Sequence, residues 1–181
     1  MAFPQEKSRP FLLAMDAGLK LRPAVADDVD AVMAIERGPG FERWVGRSSA
    51  DEHREMMADP NYAYLVGEAE GAIVAFAILR DLGDPTGCRY LKRVAVARPD
   101  QGVGRAFLEQ VVDWTFEQAG AIRFTLDCFA ANGRAQRVYE KLGFIHEGVL
   151  RDAYLGADGV RRDLAVMAMT RTQRLARRGR L

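Results

Sequence analysis

Between Tyr90 and Gly120 the chain changes its hydrophobic period with hardly a break. Tyr90-Leu91-Lys92-Arg93-Val94-Ala95-Val96 reads as a strand. From Val103 the apolar residues recur at Val103, Phe107, Val111 and Trp114, an amphipathic helical stripe that Gly120 closes as a C-terminal cap. The turn between them is Gln101-Gly102-Val103-Gly104-Arg105-Ala106. A strand feeding a helix through glycines points to a mixed α/β fold and sets a helix N-terminus at the strand's end. The backbone N–H groups and helix dipole there can hold a pyrophosphate, and Gly102 and Gly104 permit its close approach. The same glycine pair also serves an ordinary strand-to-helix connection, so the turn alone leaves both readings open. Phe107 occupies the third glycine position of G-x-G-x-x-G and no Gly-Lys-Ser/Thr follows, which disfavours hydride and nucleoside-triphosphate chemistry.

The remaining elements read as follows. Leu19-Lys20-Leu21-Arg22 alternates like a half-buried strand, and Val29, Val32, Met33 and Ile35 share a helical face within Ala26 to Glu36. Gly38-Pro39-Gly40 breaks that helix, and Phe41 and Trp44 follow in a loop. Ser49 with Glu52 is a capping box for a second helix through Met57. Tyr62 to Val66 and Ala72 to Leu79 form a hairpin around Glu70-Gly71. Ile122 to Cys128 is a strand, Gly133 to Leu142 a helix capped by Gly143, and Phe144 to Leu150 and Leu164 to Met169 two closing strands.

With 181 residues, 49% of them hydrophobic and 28% charged, the chain suits one domain. We expect it at residues 19–170, preceded by a flexible arm at 1–18 and followed by a basic tail at 171–181. A net charge of +1 draws the molecule to neither nucleic acid nor an anionic membrane. The tail carries no interleaved aromatics for base stacking and reads as a solvated run. Phe11 to Met15 is too short an apolar patch to span a bilayer, and a poor signal peptide. Cys88 and Cys128 indicate no disulfide framework, His53 and His146 have no partner at metal spacing, and no metal is expected. A reducing, cytoplasmic setting fits best.

Val94-Ala95-Val96 followed by Gln101-x-x-Gly104-x-Ala106 resembles the Q/R-x-x-G-x-G/A signature of the GCN5-related N-acetyltransferase (GNAT) superfamily. Asn132-x-x-Ala135-x-x-x-Tyr139-Glu140-Lys141-x-Gly143-Phe144 is similar to that superfamily's second cofactor motif. The resemblance runs over residues 19–170. Glu147-Gly148-Val149-Leu150-Arg151, with Asp158-Gly159 and Asp163, looks further like the branch that acetylates ribosomal-protein N-termini and relatives acting on small amines. It implies a mixed, mostly antiparallel seven-stranded sheet with a splayed central parallel pair and about four helices.

The resemblance further implies that acetyl-CoA is the acyl donor and that transfer to a primary amine is direct. That amine would be a protein N-terminus, an amino acid or a small amine. The backbone of Val94, Ala95 and Val96 would pair with the pantetheine arm, the Val94 N–H would polarise the thioester, and Gln101 to Ala106, including Val103 and Arg105, would hold the pyrophosphate, with Asn132 as a further contact. Tyr139 would protonate the departing thiolate. Asp127 stands five residues before Asn132, where some members carry a glutamate base. The acceptor pocket would draw on Phe41, Trp44, Arg151 and Tyr154. A homodimer is a common assembly among relatives. A non-catalytic acyl-CoA sensor on the same scaffold is the alternative, and an alcohol acceptor or longer acyl chain stays open.

Overall fold

Ala72 to Leu79 is apolar without alternation, which suits a strand covered on both faces. The computed structural model, which describes residues 18–42, 44–99, 102–156 and 158–179, places it in the interior of the sheet, third of seven strands. The seven strands are β1 (Lys20–Pro23), β2 (Tyr62–Ala69), β3 (Ala72–Arg80), β4 (Cys88–Val96), β5 (Arg123–Phe129), β6 (Ile145–Leu155) and β7 (Arg161–Thr170). Their order across the sheet is β1-β2-β3-β4-β5-β7-β6; β4 and β5 are parallel and the other neighbours antiparallel. The helices are α1 (Val29–Glu36), α2 (Ala50–Ala58), α3 (Val103–Glu117), α4 (Gly133–Leu142) and α5 (Arg171–Arg178), with a 3-10 turn at Ala26–Asp28.

Alternate strand residues sort into two buried clusters. Leu65, Ala77, Leu79 and Leu91 join Phe107, Val111 and Leu142 beneath α3 and α4. Tyr64, Val66, Phe76, Ile78 and Ala95 join Val32 and Ile35 beneath α1. Gly67 lets α3 approach β2, because a Cβ there would lie 2.7 Å from the Phe107 ring. Ser49 caps α2 in the expected box with Glu52, and Gly143 ends α4 in the left-handed conformation at φ 105°.

Two findings depart from the expected outline. The basic tail contains a helix, α5, opened by a Thr170/Gln173 capping box, so the described residues hold five α-helices. Its arginines are consumed by the body of the protein. Arg174 is buried against Asp113, Arg178 pairs with Asp113 and Glu117, and Arg171 donates to the carbonyls of Ala121 at 2.8 Å and Phe116 at 3.1 Å. The final strands are also longer than read, since β6 bulges between Leu150 and Tyr154 and pairing resumes beyond the bulge. Of the expected arm at residues 1–18, all but Gly18 lies outside the described residues.

Candidate active site

The site begins where two strands part. The β4–β5 ladder has four rungs, from Cys88 opposite Arg123 to Leu91 opposite Leu126, after which β4 runs on to Val96 and β5 to Phe129 without pairing with each other. Lys92 contributes to the parting: Ile78 faces Arg93 and Leu79 faces Leu91, which leaves Lys92 as the extra residue of a β-bulge. A cavity of about 810 Å³ fills the opening, a size suited to a small-molecule site. Val94, Ala95 and Val96 line one wall and Asp127, Cys128 and Phe129 the other.

At one end lies the N-terminus of α3. Gly102 is its N-cap with φ 79°, the left-handed region that favours glycine, and no acidic residue occupies the first turn. The amides of Arg105 and Ala106 bond to the Gly102 carbonyl, whereas helix geometry gives those of Val103 and Gly104 no intrahelical acceptor. Gly102, Gly104 and the exposed Arg105 line the cavity; the buried Val103 and the partly buried Ala106 do not. Gln101 lies outside the described residues. Lys92, Arg93 and Arg134 also line the cavity, so amides and cations suited to phosphate oxygens gather along it. Among the described residues no group of three or more His, Cys, Asp or Glu side chains is placed to hold a metal ion.

Asn132 caps α4, its side-chain oxygen accepting from Ala135 N at 3.1 Å, and still lines the cavity. One face of α4 then presents Tyr139, buried at 8% exposure against Phe144, with ring centroids 5.9 Å apart. Burial, with Cys128, Asp127 and Tyr90 nearby, pushes the Tyr139 phenol above its ordinary value, so it keeps its proton. Burial also pushes the Cys128 thiol up to about 11, which leaves it neutral and a poor nucleophile at ordinary pH. Asp127 accepts a hydrogen bond from the Tyr90 hydroxyl.

At the other end aromatic rings form the mouth. Trp44 packs on Phe129 with centroids 5.8 Å apart, Phe129 on Tyr154 at 5.0 Å, and Phe41 lines the same space. Arg151 does not. It is exposed in the β6 bulge, where three residues, 151–153, oppose Asp163 alone. Asp163 accepts from the Asp152 N–H at 2.9 Å and holds the bulge in that shape. The structure brings Phe41, Trp44 and Tyr154 together at the mouth and sets Arg151 outside the lining.

One cluster beside the cavity was not legible. Fully buried Glu36 at the end of α1 takes Arg93 of β4 at 2.8 Å and the Ser48 N–H at 3.1 Å, and lies 3.4 Å from His53 of α2, too poorly placed for a hydrogen bond. His53 Nδ1 meets the Tyr64 hydroxyl at 3.0 Å. These contacts fasten the loop bearing Phe41 and Trp44 to β4. The buried position of Glu36 on a helix is the only signal the sequence carries, because Arg93 is 57 residues away.

Known proteins resemble the chain in sequence and in fold. The model of the acetyltransferase (GNAT) family matches residues 29–144. The bS18-alanine N-acetyltransferase of Escherichia coli K12 is 37% identical over 145 residues, 78% of this chain and 90% of that protein. A crystal structure of the E. coli S18-alanine N-acetyltransferase superposes with TM-score 0.69 at 28% identity, covering 84% of this chain and 93% of that one. Spermidine N-acetyltransferase from Vibrio cholerae, solved with CoA and spermine, shares the fold with TM-score 0.75 at 20% identity, covering 88% and 99%. With the cradle, the parted strands and the buried tyrosine in one cavity, the chain belongs to the GNAT acetyltransferase family and is an N-acetyltransferase.

Proposed function

We propose that the protein transfers the acetyl group of acetyl-CoA to the N-terminal amine of a peptide or protein, with Asp127 as general base and Tyr139 as general acid. The observation that carries this reading is the single cavity joining the α3 N-terminus to an aromatic mouth, with both groups on its wall between them. The Gly104 amide and the Arg105 guanidinium suit the pyrophosphate, and the edge of Val94 to Val96 left unpaired by β5 suits the amide-bearing arm.

Asp127 takes a proton from the ammonium, directly or through water. The neutral amine attacks the thioester carbonyl, the C–S bond breaks, Tyr139 gives the thiolate its proton, and the acylated nitrogen loses its second proton to solvent water. Burial makes the phenol a weaker acid, but it raises the proton affinity of an unsolvated thiolate as well, so transfer between them stays feasible. Exchange with solvent returns a proton to Tyr139 and removes one from Asp127.

The lining favours a singly charged acceptor. Among the described lining residues the carboxylates are Glu42 and Asp127, against Lys92, Arg93, Arg105 and Arg134. A polyamine needs a carboxylate for each ammonium it buries. Both cysteines are free, which supports the cytoplasmic setting that belongs to this proposal. Thiol release from acetyl-CoA, measured with free-amine peptides, the same peptides N-blocked, and spermidine, tests the reading. Turnover with the free peptides alone is expected. Preference for spermidine would overturn the acceptor class, and CoA binding without turnover on any amine would overturn catalysis.

A further inference from the structure

Tyr90 belongs to neither motif, yet it stands at the root of the opening. It pairs across the parallel ladder with Thr125, one rung before Leu91 and Leu126 end the ladder. Asp127 is the first β5 residue beyond that last rung, two positions after Thr125 and so on the same face as Tyr90. The hydrogen bond from the Tyr90 hydroxyl to Asp127 Oδ2 therefore ties the strands together where backbone pairing has stopped.

Tyr90 is itself held in place. The Arg80 guanidinium of β3 lies 4.2 Å from its ring centroid. Burial and the adjoining carboxylate push the phenol well above its ordinary value, so it stays a donor across the working range. A carboxylate can accept at both oxygens, and with Oδ2 engaged by Tyr90, Oδ1 is left for the cavity.

We propose that Tyr90 is the positioning residue of the general base: its hydroxyl anchors Asp127 Oδ2 across the root of the strand opening and leaves Oδ1 to receive the amine proton. This rests on Asp127 being the base, as proposed above. An aspartate has a short reach, so an orientation fixed by a neighbouring strand decides whether it meets the acceptor. A hydrogen bond to a carboxylate favours its charged form, so loss of the donor is read in a pH profile.

The other titratable groups around Asp127 are Cys128 beside it on β5 and Tyr139 on α4, with Arg80 on β3 reaching it through Tyr90; its β7 partner is Val166. Lys92 and Arg93 of β4 and Tyr154 of β6 line the same cavity.

The test is the pH dependence of kcat/KM for the acceptor in Tyr90→Phe, which keeps the ring over Arg80 and removes the donor. The acidic limb should move to higher pH by about one unit and kcat/KM at neutral pH should fall roughly tenfold, with KM for acetyl-CoA unchanged. A loss of rate with the limb unmoved means a merely structural tyrosine and overturns the proposal. Asp127→Asn separates the two layers. If it leaves the limb intact, the base assignment fails and takes this proposal with it; if it abolishes turnover while Tyr90→Phe moves nothing, the anchor alone fails. Should Tyr90→Phe not fold, 3-fluorotyrosine at position 90, a stronger donor of nearly the same size, should move the limb to lower pH, and an unmoved limb contradicts the anchor.

Discussion

Gly104, part of the proposed pyrophosphate cradle, is a glycine that its surroundings do not require. A Cβ there would meet Val96 Cγ1 at 3.5 Å, an ordinary contact, so the protein has room for a side chain. Alanine is also the better helix former by about 1 kcal/mol. Gly104→Ala should therefore leave Tm unchanged or higher while raising KM for acetyl-CoA several-fold, because the methyl group crowds the amides that face the phosphates. Equal KM in the variant and parent would remove this amide from the cradle. Residues of this kind are legible in sequence because their spacing follows one element and its caps: Gly102 and Gly104 at the start of α3, or Tyr139 on α4 with Asn132 and Gly143 at its two ends. Tyr90 and Glu36 are not, since their partners, Asp127 and Arg93, lie 37 and 57 residues away and meet them only through sheet register and helix packing.

At the scale of elements, α3 joins two functions. Its N-terminus faces the cavity and its outer acidic residues, Asp113 and Glu117, hold α5. The run Arg171 to Arg178 shows no apolar face, and a reading based on hydrophobic period passes over it. Its docking depends on arginines aligned with carboxylates 61 residues earlier, and the Thr170/Gln173 capping box is the one local sign of a helix. Arg174 is 6% exposed, and removing it strips Asp113 of one of its two arginines. Arg174→Ala should cost about 1–3 kcal/mol and lower Tm by roughly 3–10 °C in a thermal melt, with KM for acetyl-CoA unchanged. An unchanged Tm would mean that α5 is not docked in solution. The strands around the cavity were legible by type and order, whereas the bulges at Lys92 and at residues 151–153 were not, because a bulge is a register difference between two strands.

Across the whole molecule, apolar clusters lie on the two faces of the sheet, and the Glu36–Arg93–His53 cluster borders the cavity between the parted strands. Burial lowers the His53 value below that of a free histidine, with Glu36 opposing and Arg93 adding to the shift. A depressed native value means that the unfolded chain takes up the proton first. The contribution to stability is whole above about pH 6.5 and is lost as pH falls through the native value. Tm should decline on acidification below pH 6.5, and His53→Gln should flatten that decline; an identical slope in the variant would assign the acid sensitivity elsewhere. The larger claim is that one cavity binds the donor and completes the proton transfers. It is tested most directly by kcat and acetyl-CoA affinity measured together in Tyr139→Phe, which removes the hydroxyl and keeps the ring packed on Phe144. A fall in kcat of about a hundredfold or more at unchanged affinity is predicted; unchanged turnover would contradict the assignment.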